Sequence, residues 1–151
     1  MMKTFTISAI ILLTNMKLFG QGDAFKLPKE WEKTFTISVS HTGSTSGSES
    51  RLMLTHDSCA YVTMSRQDAP TEKKFALSQK DRVAILMKMN ELKAGKIKGG
   101  RNSIVQNDGW SNLLCFESHC IEGGSAADMT QNDKNIFLGV CHYLEEFAMN
   151  R

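Results

Sequence analysis

The sequence predicts an α+β fold in which an antiparallel sheet carries two helices packed on one face, in the order β-β-β(-β)-α-β-β-α. Three observations lead to this class. Residues 34–40 alternate between apolar and small polar side chains, the two-residue period of a half-buried strand. Two later segments repeat apolar residues at helical spacing, and each follows a Ser or Thr with an Asp three positions on. A turn signal between these segments indicates a hairpin.

Strands are predicted throughout the first half of the fold. Their ranges are 34–40, 51–56, 59–64 and, for a short fourth strand, 73–77. In the first strand Phe35, Ile37 and Val39 share one face, so this face is expected to meet the core. Residues 41–50 are mostly Ser, Thr and Gly, which predicts a loop between the first two strands, with His41 solvated in it.

The first helix is predicted to begin at Ser78. A serine at this position accepts a backbone N–H, and Asp81 reaches back to complete a capping box and favours the helix dipole. Residues 82–93 then carry apolar side chains at helical spacing, and Gly95 is expected to end the helix.

The second half is predicted to hold a hairpin and a closing helix. Residues 107–109 read Asn-Asp-Gly, a turn that would join 104–105 to a strand at 110–116, and a second turn at 117–118 would return the chain through 119–122. Thr130 repeats the capping pattern, and the helix that follows is expected to run to about residue 148. Glu145 and Glu146 are expected to form an exposed acidic edge on it.

The N-terminal segment is predicted to be a secretory signal over residues 1–22. It starts with the short positive stretch Met1-Met2-Lys3, continues with an apolar stretch of the length of an h-region, and ends in small residues that allow cleavage after Gly20 or Gly22. The apolar stretch is too short to span a bilayer. We therefore expect export to the bacterial periplasm or the extracellular space, a lead-in segment at 23–33, and a single domain at 34–149.

Charge excludes one class of partner. All but two of the 18 Lys and Arg residues lie in 23–151, which therefore holds 16 basic against 16 acidic residues, a formal net charge of zero. Proteins that bind nucleic acid generally need a surplus of Lys and Arg to displace counterions from phosphates. The mature chain is not expected to bind nucleic acid or to contain a transmembrane segment.

The cysteines are candidates for disulfides. Cys59, Cys115, Cys120 and Cys141 all follow the signal, and an even number in an exported chain favours bridges. One pairing is local, Cys115 with Cys120 and Cys59 with Cys141; the crossed pairings remain open. A zinc site built from His56, Cys59, His119 and Cys120 is the metal alternative, but its spacing is not the paired Cys-x2-Cys type. The interpretation we favour has no metal and no cofactor.

Catalytic motifs are weak. Residues 43–47 resemble a G-x-S-x-G nucleophile elbow, but Thr45 occupies the central position and a strand follows where a helix is needed. Residues 95–101 have glycine spacing similar to a Walker loop but lack its Lys-Ser/Thr pair. No catalytic residue is predicted.

The order of elements resembles the emfourin type of small proteinaceous metallopeptidase inhibitors. The residues that carry this resemblance are 35–39, the loop at 41–47, Asp108-Gly109-Trp110 and the closing helix, so that it covers 34–148 in outline. The sequence departs from that type in its strand at 59–64, its cysteines and its signal. In general style the chain also resembles small exported bacterial proteins of unknown function. The inhibitor resemblance implies that a loop forms part of the target-binding edge, namely Thr42, Gly43, Ser44, Thr45, Ser46, Gly47 and Ser48.

Two functions follow as hypotheses. The first is an exported, monomeric, non-catalytic module that binds a protein or an envelope component, with peptidase inhibition as its specific form. The alternative is a small metal-dependent or hydrolytic exported enzyme that uses His56, Cys59, His119 and Cys120.

Overall fold

A computed structural model describes residues 25–43, 47–99, 110–124 and 127–151. It contains a six-stranded antiparallel sheet and two long helices, which confirms the predicted α+β class. The strands are β1 (Ile37–Gly43), β2 (Glu49–Leu54), β3 (Ser58–Met64), β4 (Thr71–Ala76), β5 (Trp110–Phe116) and β6 (His119–Gly124). The helices are α1 (Gln79–Glu91) and α2 (Gln131–Met149), with a 3-10 turn over Ala94–Lys96 after α1.

The sheet order is β4-β3-β2-β1-β5-β6, so β1 and β2 are its central strands. Strands β1 to β4 form a meander because each is joined to the next by a short connection. Helix α1 then carries the chain back, so that β5 pairs with β1 rather than with β4. The connections β1–β2 and β3–β4 lie at one end of the sheet, which we call the loop end.

The core lies between one face of the sheet and the two helices. Phe35, Ile37 and Val39 are buried as predicted, because alternate residues of a strand point to the same face. Helix α1 contributes Ile85 and Met89 to this core, and the other buried residues of the helices and strands join them. No helix of the described residues covers the opposite face, where Met53 and Leu113 remain partly exposed.

Both predicted helix starts are confirmed. Ser78 caps α1 with the full capping box, in which its hydroxyl accepts from the Asp81 N–H at 3.1 Å and Asp81 accepts from the Ser78 N–H at 3.0 Å. Thr130 caps α2 by accepting from the N–H of Asp133 at 3.1 Å. These bonds satisfy N–H groups that have no partner inside the helix.

The helices lie antiparallel across the sheet. The guanidinium of Arg151, after the end of α2, contacts the Asp81 carboxylate at the start of α1. At the other end the Lys98 N–H donates to Asp133 in the first turn of α2. Helix α2 crosses the loop end of the sheet from β6 to β4, since Phe137 packs on Gly123 and the Lys73 ammonium donates to the carbonyl of Met149 at 2.8 Å.

Several predicted boundaries differ from the structure. Strand β1 continues to Gly43, so His41 lies in the strand and not in a loop as predicted. Helix α1 ends at Glu91, and the left-handed residue after it is Lys93, before the predicted stop at Gly95. The predicted lead-in segment packs on the core through Trp31, whose indole N–H donates to the Phe35 carbonyl at 2.8 Å. The predicted signal, the strand at 104–105 and the turn at 107–109 lie outside the described residues.

Candidate functional site

The predicted binding loop begins and ends on the two central strands. At its base the N–H of Gly43 donates to the carbonyl of Ser48 at 2.9 Å, which closes the connection between β1 and β2. Ser44, Thr45 and Ser46 lie outside the described residues, whereas Thr42, Gly43, Gly47 and Ser48 are described. The loop is therefore shorter than the predicted 41–50, because pairing between β1 and β2 extends to Thr42 and Glu49.

Gly47 is held against the neighbouring connection. Its φ is +60°, a left-handed conformation that favours glycine, and the side chain of Arg66 lies over it. A Cβ at Gly47 would come within 2.6 Å of the Arg66 Cδ, so a side chain here would displace the arginine. The β3–β4 connection is ordered in turn by Ser65, whose hydroxyl accepts from the Asp68 N–H at 3.0 Å. Two adjacent connections thus form one edge at the loop end.

A row of small and polar residues crosses the helix-facing side of the sheet near this edge. The strand register aligns one residue from each strand, in the order Thr71, Thr63, Ser50, His41, Asn112 and Gly123. The next row toward the centre of the sheet is largely apolar and includes Leu52, Val39 and Leu114. The core therefore becomes polar where α2 crosses the loop end.

Hydrogen bonds connect residues of this row to one another and to α2. The ring Nδ1 of His41 is hydrogen-bonded to Oδ1 of Asn112, and because an amide oxygen only accepts, Nδ1 carries the proton. The Asn112 side chain is also hydrogen-bonded to the thiol of Cys141 on α2. Beside them the Ser50 hydroxyl donates to Glu145 at 3.1 Å. Helix α2 is thus attached to β2 and β5 by polar contacts, and His41 links β1 to the same network through Asn112.

Burial controls the ionisation of this cluster. The pKa of Cys141 is raised to about 12, chiefly by desolvation and then by the nearby Glu145 carboxylate, while the hydrogen bond from Asn112 offsets part of the rise. Burial, and then the charge of Glu145, raise the pKa of Tyr61, while its hydrogen bond with Ser50 opposes the shift. Both groups are therefore neutral at physiological pH.

Cys141, His41 and Asn112 are the residue types of a cysteine-protease triad, but their arrangement differs from one. A nucleophilic cysteine needs a base hydrogen-bonded to its sulfur and a pKa low enough to supply thiolate. Here the amide of Asn112 lies between the imidazole and the thiol, and the thiol is 2 % exposed. This cluster does not activate Cys141 as a nucleophile.

An open cleft of about 370 Å³ adjoins the cluster. One wall is a stripe of α2, the floor is the His41–Asn112 pair, and Trp110 at the start of β5 forms the other wall. Trp110 pairs with Gly43 across the strands, so the cleft opens beside the predicted loop. The stripe of α2 consists of Leu138, Cys141, His142 and Glu145.

The structure does not bring together the four residues of the zinc alternative. Cys59 and His119 lie in one row of the sheet but four interstrand spacings apart, about 19 Å at roughly 4.8 Å each. The sulfur of Cys120 is bonded to Cys115 and cannot ligate a metal. The described part of the chain contains no group of three or more His, Cys, Asp and Glu side chains that could bind a metal ion.

The cysteines divide into one disulfide and two thiols. Cys115 and Cys120 are directly opposite across the β5–β6 hairpin and are bonded, which confirms the first bridge of the local pairing. The second bridge of that pairing, between Cys59 and Cys141, is wrong. Cys59 and Cys141 are buried free thiols, so neither the crossed pairings nor a second bridge is present. Burial raises the pKa of Cys59 to about 11.

Two residues of the cleft have other roles in the sequence prediction, and a third, Asn112, has none. His41 was expected to be solvated, yet it continues the inward series of Ile37 and Val39 by strand parity. Asn112 lies two residues before the buried Leu114, so strand alternation predicts that its side chain faces the core. The same alternation does not predict His41 as its hydrogen-bond partner. Glu145 was expected on an exposed edge, yet it lies one helical turn after Cys141 and contacts Ser50; Glu146 is exposed as predicted.

Comparison of the sequence with models of known protein families gives no match, and the curated proteins likewise contain none. Within the described residues, neither helix combines the length and the apolar character needed to cross a membrane. Inferences about function therefore rest on the geometry of the loop end.

Proposed function

We propose that the protein is an exported, non-catalytic binding module that inhibits a metallopeptidase of the thermolysin type through the loop end of its sheet. The observation that carries this proposal is the anchoring of the 42–48 loop on the two central strands. The Gly43–Ser48 hydrogen bond closes its base, and Arg66 lies against Gly47. These contacts fix the two ends of the loop on the sheet, and a fixed base loses less conformational entropy when a partner binds.

Export is supported by the Cys115–Cys120 disulfide together with the predicted signal. Disulfides persist mainly in oxidising compartments. The partner in this proposal is a protein, since the formal charge of 23–151 is zero and offers no surplus for phosphate contacts.

A non-catalytic role is supported by the state of the nucleophile candidates. Burial holds the pKa of the Cys141 thiol near 12, and Asn112 separates it from His41. Peptidase inhibition then depends on occupying the active-site cleft of the partner, without chemistry by this chain.

The test is a titration of thermolysin with the protein purified after export, using a peptide substrate to follow activity. We expect a saturable loss of peptidase activity as the protein is added. Unchanged activity at a high molar excess would refute the inhibitor proposal, and rapid cleavage within 42–48 would make the loop a substrate instead.

A matched pair of glycine variants locates the inhibitory surface. Gly47→Ala places a side chain at φ +60° and against Arg66, so it should disturb the loop and weaken inhibition by about tenfold or more. Gly139→Ala adds the same methyl group to α2, where nothing lies within 4 Å, and should leave inhibition unchanged. Equal inhibition by both variants would place the contact surface elsewhere.

A further inference from the structure

The cleft between Trp110 and α2 has the chemistry of a binding site for a cation. Its lining includes one carboxylate, Glu145, and the aromatic ring of Trp110, but no Lys or Arg. One oxygen of Glu145 is held by the Ser50 hydroxyl, which fixes the carboxylate at the cleft. An ammonium or guanidinium group is attracted both to a carboxylate and to the face of a tryptophan ring.

The floor of the cleft adds a second acceptor. Nδ1 of His41 donates to Asn112, and in the tautomer that carries its proton at Nδ1 the other ring nitrogen, Nε2, is an acceptor. A group with several N–H donors can therefore be matched by the Glu145 carboxylate and the His41 ring together. Arginine presents five such donors in a planar fork, and lysine presents three on a flexible stem.

We propose that this cleft binds the side chain of a lysine or arginine of the partner protein. The inference rests on the proposed function in one respect, that the partner docks on the loop end. The cleft adjoins that edge, since Trp110 pairs with Gly43 at the base of the loop. Among peptidases that bind the loop equally well, the cleft would then favour those that carry a basic residue beside the surface that contacts the loop.

The probes are two capped tripeptides, acetyl-Gly-Arg-Gly-amide and acetyl-Gly-norleucine-Gly-amide, titrated into the ¹⁵N-labelled protein purified after export of the full chain. The two tryptophans provide a site signal and an internal control. Trp110 lines the cleft, whereas Trp31 is buried near the other end of the sheet. We expect a saturable shift of the Trp110 indole N–H with the arginine peptide only, and no shift of Trp31 with either peptide.

Charge is tested by two isosteric variants. Glu145→Gln keeps an acceptor for Ser50 but removes the charge, so the arginine peptide should bind about fivefold more weakly. Glu72→Gln removes an exposed carboxylate that pairs with Lys74 on the edge strand β4, and affinity should not change. The unshifted Trp31 signal reports that each variant keeps the fold.

Two results would overturn the inference: equal Trp110 shifts with both peptides, which would indicate an apolar groove, or no shift with the arginine peptide up to its solubility limit. Thermolysin inhibition by the same samples separates the two proposals. Inhibition without arginine-peptide binding overturns the cation site alone. Selective peptide binding without inhibition supports the cation site and refutes the inhibitor proposal.

Discussion

Replacement of Gly123 by alanine tests the close approach of α2 to the sheet. Gly123 lies on β6 at the end of the polar row, and a Cβ there would come within 2.7 Å of Cδ1 and Cζ of Phe137. The Phe137 side chain is fully buried, so its ring cannot swing into solvent. Either α2 must move away from the sheet or the ring must adopt a poorer rotamer.

The expected cost follows from two opposing terms. Overpacking a buried site costs about 1–3 kcal/mol. Replacing Gly by Ala also restricts the unfolded chain, which returns about 0.4–1 kcal/mol. The free energy of unfolding of Gly123→Ala should therefore fall by about 1–2 kcal/mol.

Gly139→Ala is the matched control because it adds the same methyl group to the interior of α2. No atom lies within 4 Å of the added Cβ, so only the gain in helix propensity remains. That gain is about 0.8–1 kcal/mol, and the sign of the effect is reversed. The two variants should differ in stability by about 2–3 kcal/mol.

The assay is urea unfolding followed by far-ultraviolet circular dichroism, with the midpoint and slope fitted for each protein. Thermal unfolding should show the same order, with a shift of roughly 4 °C per kcal/mol. A neutral or stabilising Gly123→Ala would refute the close packing of α2 on β6. It would also remove the basis for the cleft, since the position of α2 forms one of its walls.

Four further predictions concern the two thiols, the disulfide and the helix cap. Burial raises the pKa of Cys59 to about 11 and that of Cys141 to about 12, so both thiols should resist iodoacetamide at pH 8 and react only in denaturant. Mass spectrometry counts the alkylated cysteines, and rapid alkylation of the native protein would contradict the burial of the thiols. As pH rises, the thiols of the unfolded chain, with their ordinary pKa of 9.0, lose their protons before those of the folded protein. The free energy of unfolding should therefore decrease as pH rises from about 9 toward 11. A Cys59→Ala, Cys141→Ala double variant should lack this decrease. Replacing Cys115 and Cys120 together by alanine should lower the free energy of unfolding by about 2 kcal/mol, since the bridge closes a short loop; an unchanged urea midpoint would contradict this. Ser78→Ala should cost about 1 kcal/mol by removing the capping box of α1, measured in the same way, whereas Ser78→Thr, which keeps the hydroxyl that bonds Asp81, should retain most of the stability.

Local sequence signals predicted the elements of this fold because each depends on neighbouring residues. The alternation of Phe35, Ile37 and Val39 predicts a strand and its buried face without reference to any partner. The capping patterns at Ser78 and Thr130 predict where both helices begin, since the hydrogen bonds they imply span only three residues. Boundaries were less well predicted where pairing across strands extends an element, as at His41.

The candidate site was only partly predictable for the same reason. The described ends of the predicted loop lie on β1 and β2, whereas the cleft beside them is made by residues far apart in the chain. His41 and Asn112 are separated by 71 residues, and Ser50 and Glu145 by 95. No local pattern connects such residues, and they are brought together only by the register of β1 with β5 and by the path of α2.

The sequence by itself determined the class of fold, the two helix starts, the inward faces of the strands and the hairpin that brings Cys115 opposite Cys120. Each of these follows from residue periodicity or from contacts within a few positions. The tertiary structure decided the strand order, the side of the sheet that α2 covers, and the state of Cys59 and Cys141 as separate buried thiols. These depend on which distant surfaces pack together, and packing is a property of the whole chain.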